Sequence, residues 1–135
     1  MAISQTMTTQ AKYVALQHIA SGTLKMALYT SVATLNANTT AYTSSDEISG
    51  TGYVAGGKTL VNVTVQQADG VAYLDFDDVT WDPASFTARG ALIYNSSLGN
   101  LAIAVLDFGS DKTANNTFTV QTPVNTASSA LVRIA

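Results

Sequence analysis

The sequence predicts a mainly β fold, an antiparallel β-sandwich of jelly-roll type with one N-terminal helix, on three observations. About eight short segments alternate apolar and polar residues with period two. One stretch near the N-terminus has helical spacing instead, and no second helix is available to cross over a parallel sheet. Only 11% of the 135 residues are charged, against an ordinary ~25%, so Thr, Ser and Asn must cover much of the exterior, which suits strands or surface hidden in an assembly. A chain of this length makes one domain that buries roughly 68% of its unfolded surface.

Each element follows from local spacing. Residues 9–20 place Ala11, Val14, Ala15, Leu16 and Ile19 near one face, with Ser21-Gly22 as a stop signal, so a helix is expected there. From Leu24 the period becomes two: Leu24, Met26 and Leu28 alternate with Lys25, Ala27 and Tyr29 in a short strand ending near Thr30. Residues 33–51, rich in Thr, Ser and Asn, read as a long surface loop with Glu47-Ile48 as a brief edge strand. Residues 58–66 read as a half-buried strand with Val61, Val63 and Val65 on one face and Asn62 and Thr64 on the other. Ala68-Asp69-Gly70 supplies a turn suited to positive φ, and residues 71–76 return as the second strand of a hairpin. Further strands are expected at 79–81, 86–94, 101–108, 117–122 and 130–134, separated by Asp82-Pro83 and by turns at 95–100, 109–116 and 123–129. The organisation is an arm and helix over residues 1–22 and a β-sandwich over 23–135.

Composition excludes several classes. Without cysteine there is no disulfide scaffold, thiolate metal site or cysteine nucleophile. Six Lys and Arg against nine Asp and Glu, a net charge of -3, leave no positive surplus for free nucleic acid. No apolar run approaches the ~20 residues of a membrane-spanning helix, so no membrane partner is expected. Residues 1–10 lack the basic start and apolar stretch of a secretory signal, which points to synthesis in a cytoplasm.

Four groupings carry possible chemistry. Gly52-Tyr-Val-Ala-Gly-Gly57-Lys58-Thr59 fits the nucleotide-loop pattern G-x-x-x-x-G-K-[ST], and Leu101-Ala-Ile-Ala-Val-Leu-Asp107 resembles its acidic companion strand. That loop works only when a buried strand enters it and a helix leaves it, presenting amides to phosphate. Here a polar segment enters and a period-two segment leaves, so no nucleotide site is expected. Asp75, Asp77, Asp78 and Asp82 form the densest charge, but alternation along a strand sends them to opposite faces, and a solvated strand end is expected rather than a cation site. His18, the sole histidine, belongs to a helix surface or an interface. Trp81 could form a sugar platform, with core or interface packing the favoured reading. N-x-S/T strings at Asn38, Asn62, Asn95 and Asn115 carry no weight without a secretory signal. No catalytic, cofactor-binding or metal-ligating residues are therefore expected, and no cofactor.

Two stretches carry a resemblance: Leu24-Lys-Met-Ala-Leu-Tyr-Thr-Ser31 with Ala41-Tyr-Thr-Ser-Ser-Asp-Glu-Ile-Ser-Gly-Thr-Gly-Tyr-Val-Ala-Gly-Gly57, and Asp75-Phe-Asp-Asp-Val-Thr-Trp81 through Ala88-Arg-Gly-Ala-Leu-Ile-Tyr94 to Ala104-Val-Leu-Asp-Phe-Gly-Ser-Asp-Lys112. They resemble small virion structural proteins of tailed bacteriophages, of the capsid decoration or cement type. The resemblance implies a non-enzymatic protein on the virion surface, made in the host bacterial cytoplasm, whose partner is the major capsid protein or another virion protein. A neck, tail or adhesion module binding a host glycan or another phage protein is the alternative, and an enzyme with an unrecognised site the third reading. Self-association as a dimer or trimer is expected. The arm and helix are expected to take part in contacts between chains or with the shell, because the helix's apolar face must be covered.

Overall fold

The computed structural model describes residues 2–123 and 126–135, which form one helix and nine strands in antiparallel sheets, so the chain is mainly β. Met1, at the head of the expected arm, and Val124-Asn125, inside the expected turn at 123–129, lie outside the described residues. Helix α1 (Thr9–Ile19) starts at Thr8, whose hydroxyl accepts the Ala11 N–H at 3.2 Å. Its inward face differs from the expected one. Leu16 is buried and Tyr13, Ile19 and Ala20 pack against the core, while Ala11 is exposed and Val14 stands 52% exposed. The tyrosine ring offers more apolar area than valine or alanine, and it decides which side turns inward.

Strand β1 (Leu24–Tyr29) sits inside a four-stranded sheet of order β2-β1-β6-β7, made with β2 (Lys58–Thr59), β6 (Phe86–Asn95) and β7 (Leu101–Ala114). The pairing Leu24↔Asn95 through Tyr29↔Gly90 aligns β1 with β6 without a slip. Both faces of β1 are buried rather than one. Leu24, Met26 and Leu28 enter the main core, and Ala27 and Tyr29 join Leu92 and Tyr94 in a second cluster. Ala33, Leu35 and Tyr42 cover that second cluster, so the polar loop after β1 is a lid over the sheet. The expected edge strand at Glu47-Ile48 is a single bridge, Tyr29↔Glu47.

A three-stranded sheet joins β3 (Thr64–Ala68), β4 (Val71–Asp75) and β9 (Arg133–Ile134), and a two-stranded one joins β5 (Val79–Trp81) and β8 (Phe118–Val120). The β3–β4 hairpin turns through Asp69 and Gly70, both at positive φ, as an Asp-Gly turn should. Helix α1 packs on β3, β4 and β9, so its own chain covers the face expected to need a partner.

Two expected segments are redrawn. The strand over 58–66 is two strands in different sheets, with the crossing at Val61-Asn62: Asn62 adopts φ +57° and Val61 is 57% exposed. The left-handed turn at Asn62, a conformation asparagine tolerates, redirects the chain from one sheet to the other and overrides the valine alternation. The expected turn at 109–116 is mostly strand. Phe86↔Ala114, Thr87↔Thr113 and Ala88↔Lys112 pair, and the Gly-Ser-Asp signal is a bulge opposite Arg89, with Gly109 at φ +84°.

Asn95, fully buried, ties the helix end to the sheet. Its amide donates to Ile19 O at 2.8 Å and Ser21 O at 2.6 Å, and its carbonyl accepts the Ser97 N–H at 2.9 Å, capping a 3₁₀ turn at Ser96–Leu98. Asn95→Ala removes the partner of these three backbone groups and leaves a gap at a fully buried position, and should lower stability by about 1–3 kcal/mol, read as a fall in the urea midpoint.

Candidate functional site

The residues with chemical potential are spread apart, and several of them are held by their own neighbours. In the glycine-rich loop, Lys58 and Thr59 form β2, so a strand leaves the loop as expected. Gly57 has φ +83°, and a Cβ there would lie 1.9 Å from the Met26 carbonyl oxygen. The glycine is required because loop backbone presses on β1. The Lys58 ammonium donates to the Thr80 carbonyl. Asp107, on β7, accepts from Arg89 at 2.9 Å and from the Gly109 N–H at 2.8 Å, which together hold its carboxyl below the usual range.

The four clustered aspartates diverge. Asp77 accepts the Asn62 amide at 2.7 Å. Asp78 accepts the Thr122 N–H at 2.8 Å and hydroxyl at 2.9 Å, lowering its pKa. Asp75 closes β4, and Asp82 is exposed after β5. Among the described residues no three His, Cys, Asp or Glu side chains are grouped so as to hold a metal ion. His18 is exposed on α1. Trp81 is 3% exposed and meets Tyr53, Phe86 and Phe118 at ring-centroid distances of 6.3, 6.5 and 6.1 Å, so it is core and no sugar platform.

Sequence reasoning missed Glu47. Its carboxylate accepts the Tyr42 hydroxyl at 2.6 Å, the Tyr53 hydroxyl, and the Gly56 N–H at 2.8 Å. Tyr53 O in turn accepts the Leu28 N–H at 3.0 Å, and the Tyr94 hydroxyl donates to Gly56 O at 2.6 Å. Tyr29 donates to Thr43 O at 2.7 Å, and Tyr42 stacks on Tyr94 with centroids 4.7 Å apart. Burial and then the Glu47 charge push Tyr29 up to about 12. Burial first, then the hydrogen bond to Glu47, raises Tyr42 and Tyr53 further, and burial followed by the Glu47 charge raises Tyr94. Neutral phenols donating to a saturated carboxylate make a clamp, not a proton-transfer centre at neutral pH. The available signal was an acid among tyrosines in a weakly charged loop.

The surface chemistry gathers along β7. One face of this strand borders two grooves that share Val105. The first, about 200 Å³, is lined by Tyr29, Leu35, Arg89, Val105 and Asp107, and Thr30 at its wall has a buried hydroxyl without a hydrogen-bond partner. The second, about 360 Å³, is lined by Asn36, Thr39, Leu92, Ala102 and Val105. A third groove, about 470 Å³, lies on the opposite face among Leu106, Phe108, Thr117, Phe118, Thr119 and Val120. Among the described residues no helix is long and apolar enough to cross a membrane. Comparison with known proteins gives no match: no family model fits the chain, and no curated protein or solved structure matches it.

Removing the clamp carboxylate with Glu47→Ala should lower stability by about 2–4 kcal/mol in urea denaturation, because two phenols and one amide lose their acceptor. Tyr29 is raised in the fold, so its contribution is complete below its unfolded value of 10.0 and is lost as pH climbs through about 12. A spectrophotometric titration should therefore show phenolate formation delayed past that of free tyrosine, with unfolding on the same alkaline limb. Calorimetric titration should detect no micromolar ATP or GTP binding, and an affinity abolished by Lys58→Ala would overturn the strand-versus-helix argument.

Proposed function

We propose that the chain is a non-enzymatic structural protein of a bacteriophage virion, a decoration or cement protein that binds and stabilises the head shell. The segments that carry the resemblance support this reading by their position. Residues 24–31, 88–94 and 104–112 supply most of β1, β6 and β7, three adjacent strands of one sheet, and residues 41–57 supply the clamped part of the lid over it. Residues 75–81 run from the end of β4 through β5, in the other two sheets.

The observation that carries the proposal is the surface along β7. A strand of 14 residues at the margin of its sheet, bordered by apolar and threonine-lined grooves, offers peptide groups, methyls and hydroxyls, which is the chemistry of protein contact. Charges are few, so desolvation on docking costs little, and a shell with many equivalent positions adds avidity to weak single contacts. The Arg89–Asp107 pair and the unpartnered Thr30 hydroxyl beside the first groove favour a second reading, a neck, tail or adhesion module that takes a glycan.

Purified protein added to phage particles lacking it should co-sediment with them and raise the temperature at which the heads rupture. Density for the chain on the head in particle images supports the decoration reading. Density on neck or tail replaces it with the second reading, and no association with particles sinks both.

A further inference from the structure

The margin of β7 is an open strand edge, and its direction can be read from the hydrogen bonds. Leu28 turns both backbone groups away from β6, its N–H to the Tyr53 hydroxyl and its carbonyl to the Ile48 N–H. The bonds to β6 therefore come from Ala27 and Tyr29, through the pairs Ala27↔Leu92 and Tyr29↔Gly90. By the same alternation Ala91 and Ile93 face β7, where they meet Leu106 and Ala104. Val105 and Asp107 then point their backbone groups outward. The chain covers only the beginning of this edge: Ala102 N–H donates to Thr40 O at 3.1 Å and Tyr42 N–H to Asn100 O at 2.9 Å, a single bridge of Ala41 with Leu101. Beyond it the run 103–108, apolar except for Asp107, has no strand on its outer side. A long, uncovered edge with few charges is a template for another strand.

The same molecule presents an unpaired segment. Residues 2–7 are exposed and form no backbone–backbone hydrogen bond among the described residues. Ile3 is 82% and Met7 53% exposed, and in an extended chain period two puts both on one face with Gln5. None of residues 2–8 is charged, so the segment itself brings no ionic side chain to be desolvated when it docks. Seven extended residues span about 23 Å and the open run of six about 20 Å, so the lengths agree. The arm leaves α1 on the three-stranded sheet, whereas β7 borders the four-stranded one, and the two do not pair within a chain.

We propose that the open edge of β7 accepts the N-terminal arm of a second copy, residues 2–8 adding as a strand beside Val105 and Asp107 with Ile3 and Met7 over the groove of Leu106, Phe108, Phe118 and Val120. Backbone bonds supply the affinity, and the two apolar side chains set the register. Reciprocal exchange closes a two-fold dimer, and one-way exchange closes a ring. The assembly stands apart from the particle reading: a chain that exchanges arms and never binds a virion leaves this inference intact.

Sedimentation of the intact protein over a range of concentrations should give a defined oligomer. Deleting residues 2–7, which keeps the Thr8 cap, should give a folded monomer by sedimentation and circular dichroism, and so should Ile3→Asp with Met7→Asp. A synthetic peptide of residues 1–8 should bind the truncated protein, and Val105→Pro, which removes one outward N–H at an edge position, should weaken that binding by at least about tenfold. The peptide titration on the truncated protein decides the matter even if the proline variant does not fold. An intact chain that stays monomeric at high concentration overturns the proposal. So does a truncated chain that associates as well as the intact one, which would point to β7 pairing with β7.

Discussion

The hydrogen bonds from Tyr42, Tyr53 and Gly56 to the Glu47 carboxylate fix the long loop between β1 and β2 against the sheet it covers. A sheet buried on both faces needs a cover on each, and the loop between β1 and β2 is too polar to supply one by hydrophobic burial alone. Glu47 solves this by collecting donors from the loop on both sides of itself, while the Tyr53 oxygen accepts one further bond from the β1 backbone. The lid so fixed buries Ala27, Tyr29, Leu92 and Tyr94. A partly buried carboxylate without those donors would be strongly unfavourable, so lid and clamp form together.

With both faces covered, the residues that look reactive are used to join elements. Lys12 donates to Gly70 O at 2.8 Å across the helix–hairpin contact, Lys58 reaches the β5 backbone, and Asp78 fastens the segment after β8. These three charges are spent on neighbours far away in the chain. This is consistent with a protein whose few ionisable groups hold its architecture, and it leaves surface recognition to peptide groups, hydroxyls and methyls.

The strand edges are treated unequally. At one margin of the four-stranded sheet β2 has only two residues, too few to template a partner strand. At the other margin β7 runs for 14 residues with its apolar half open. The two margins of the sheet are therefore unequal, one short and one long.

The sequence by itself determined the mainly β class, the single helix, the β3–β4 hairpin and the strand at 79–81, because period, capping and turn chemistry act between residues a few positions apart. It also determined that no helix follows the glycine-rich loop, since the valines after Lys58 favour extended chain. Tertiary structure alone decided the inward face of α1, the break of 58–66 between two sheets, the bulge that carries β7 to Ala114, the burial of both faces of β1 and the Glu47 clamp. These depend on partners distant in the chain: Tyr13 meeting the hairpin, Thr59 and Thr64 answering to different sheets, Arg89 facing a bulge, and Glu47 finding phenols on either side of a loop. A local pattern states which residues want burial, but only the packed chain states against what.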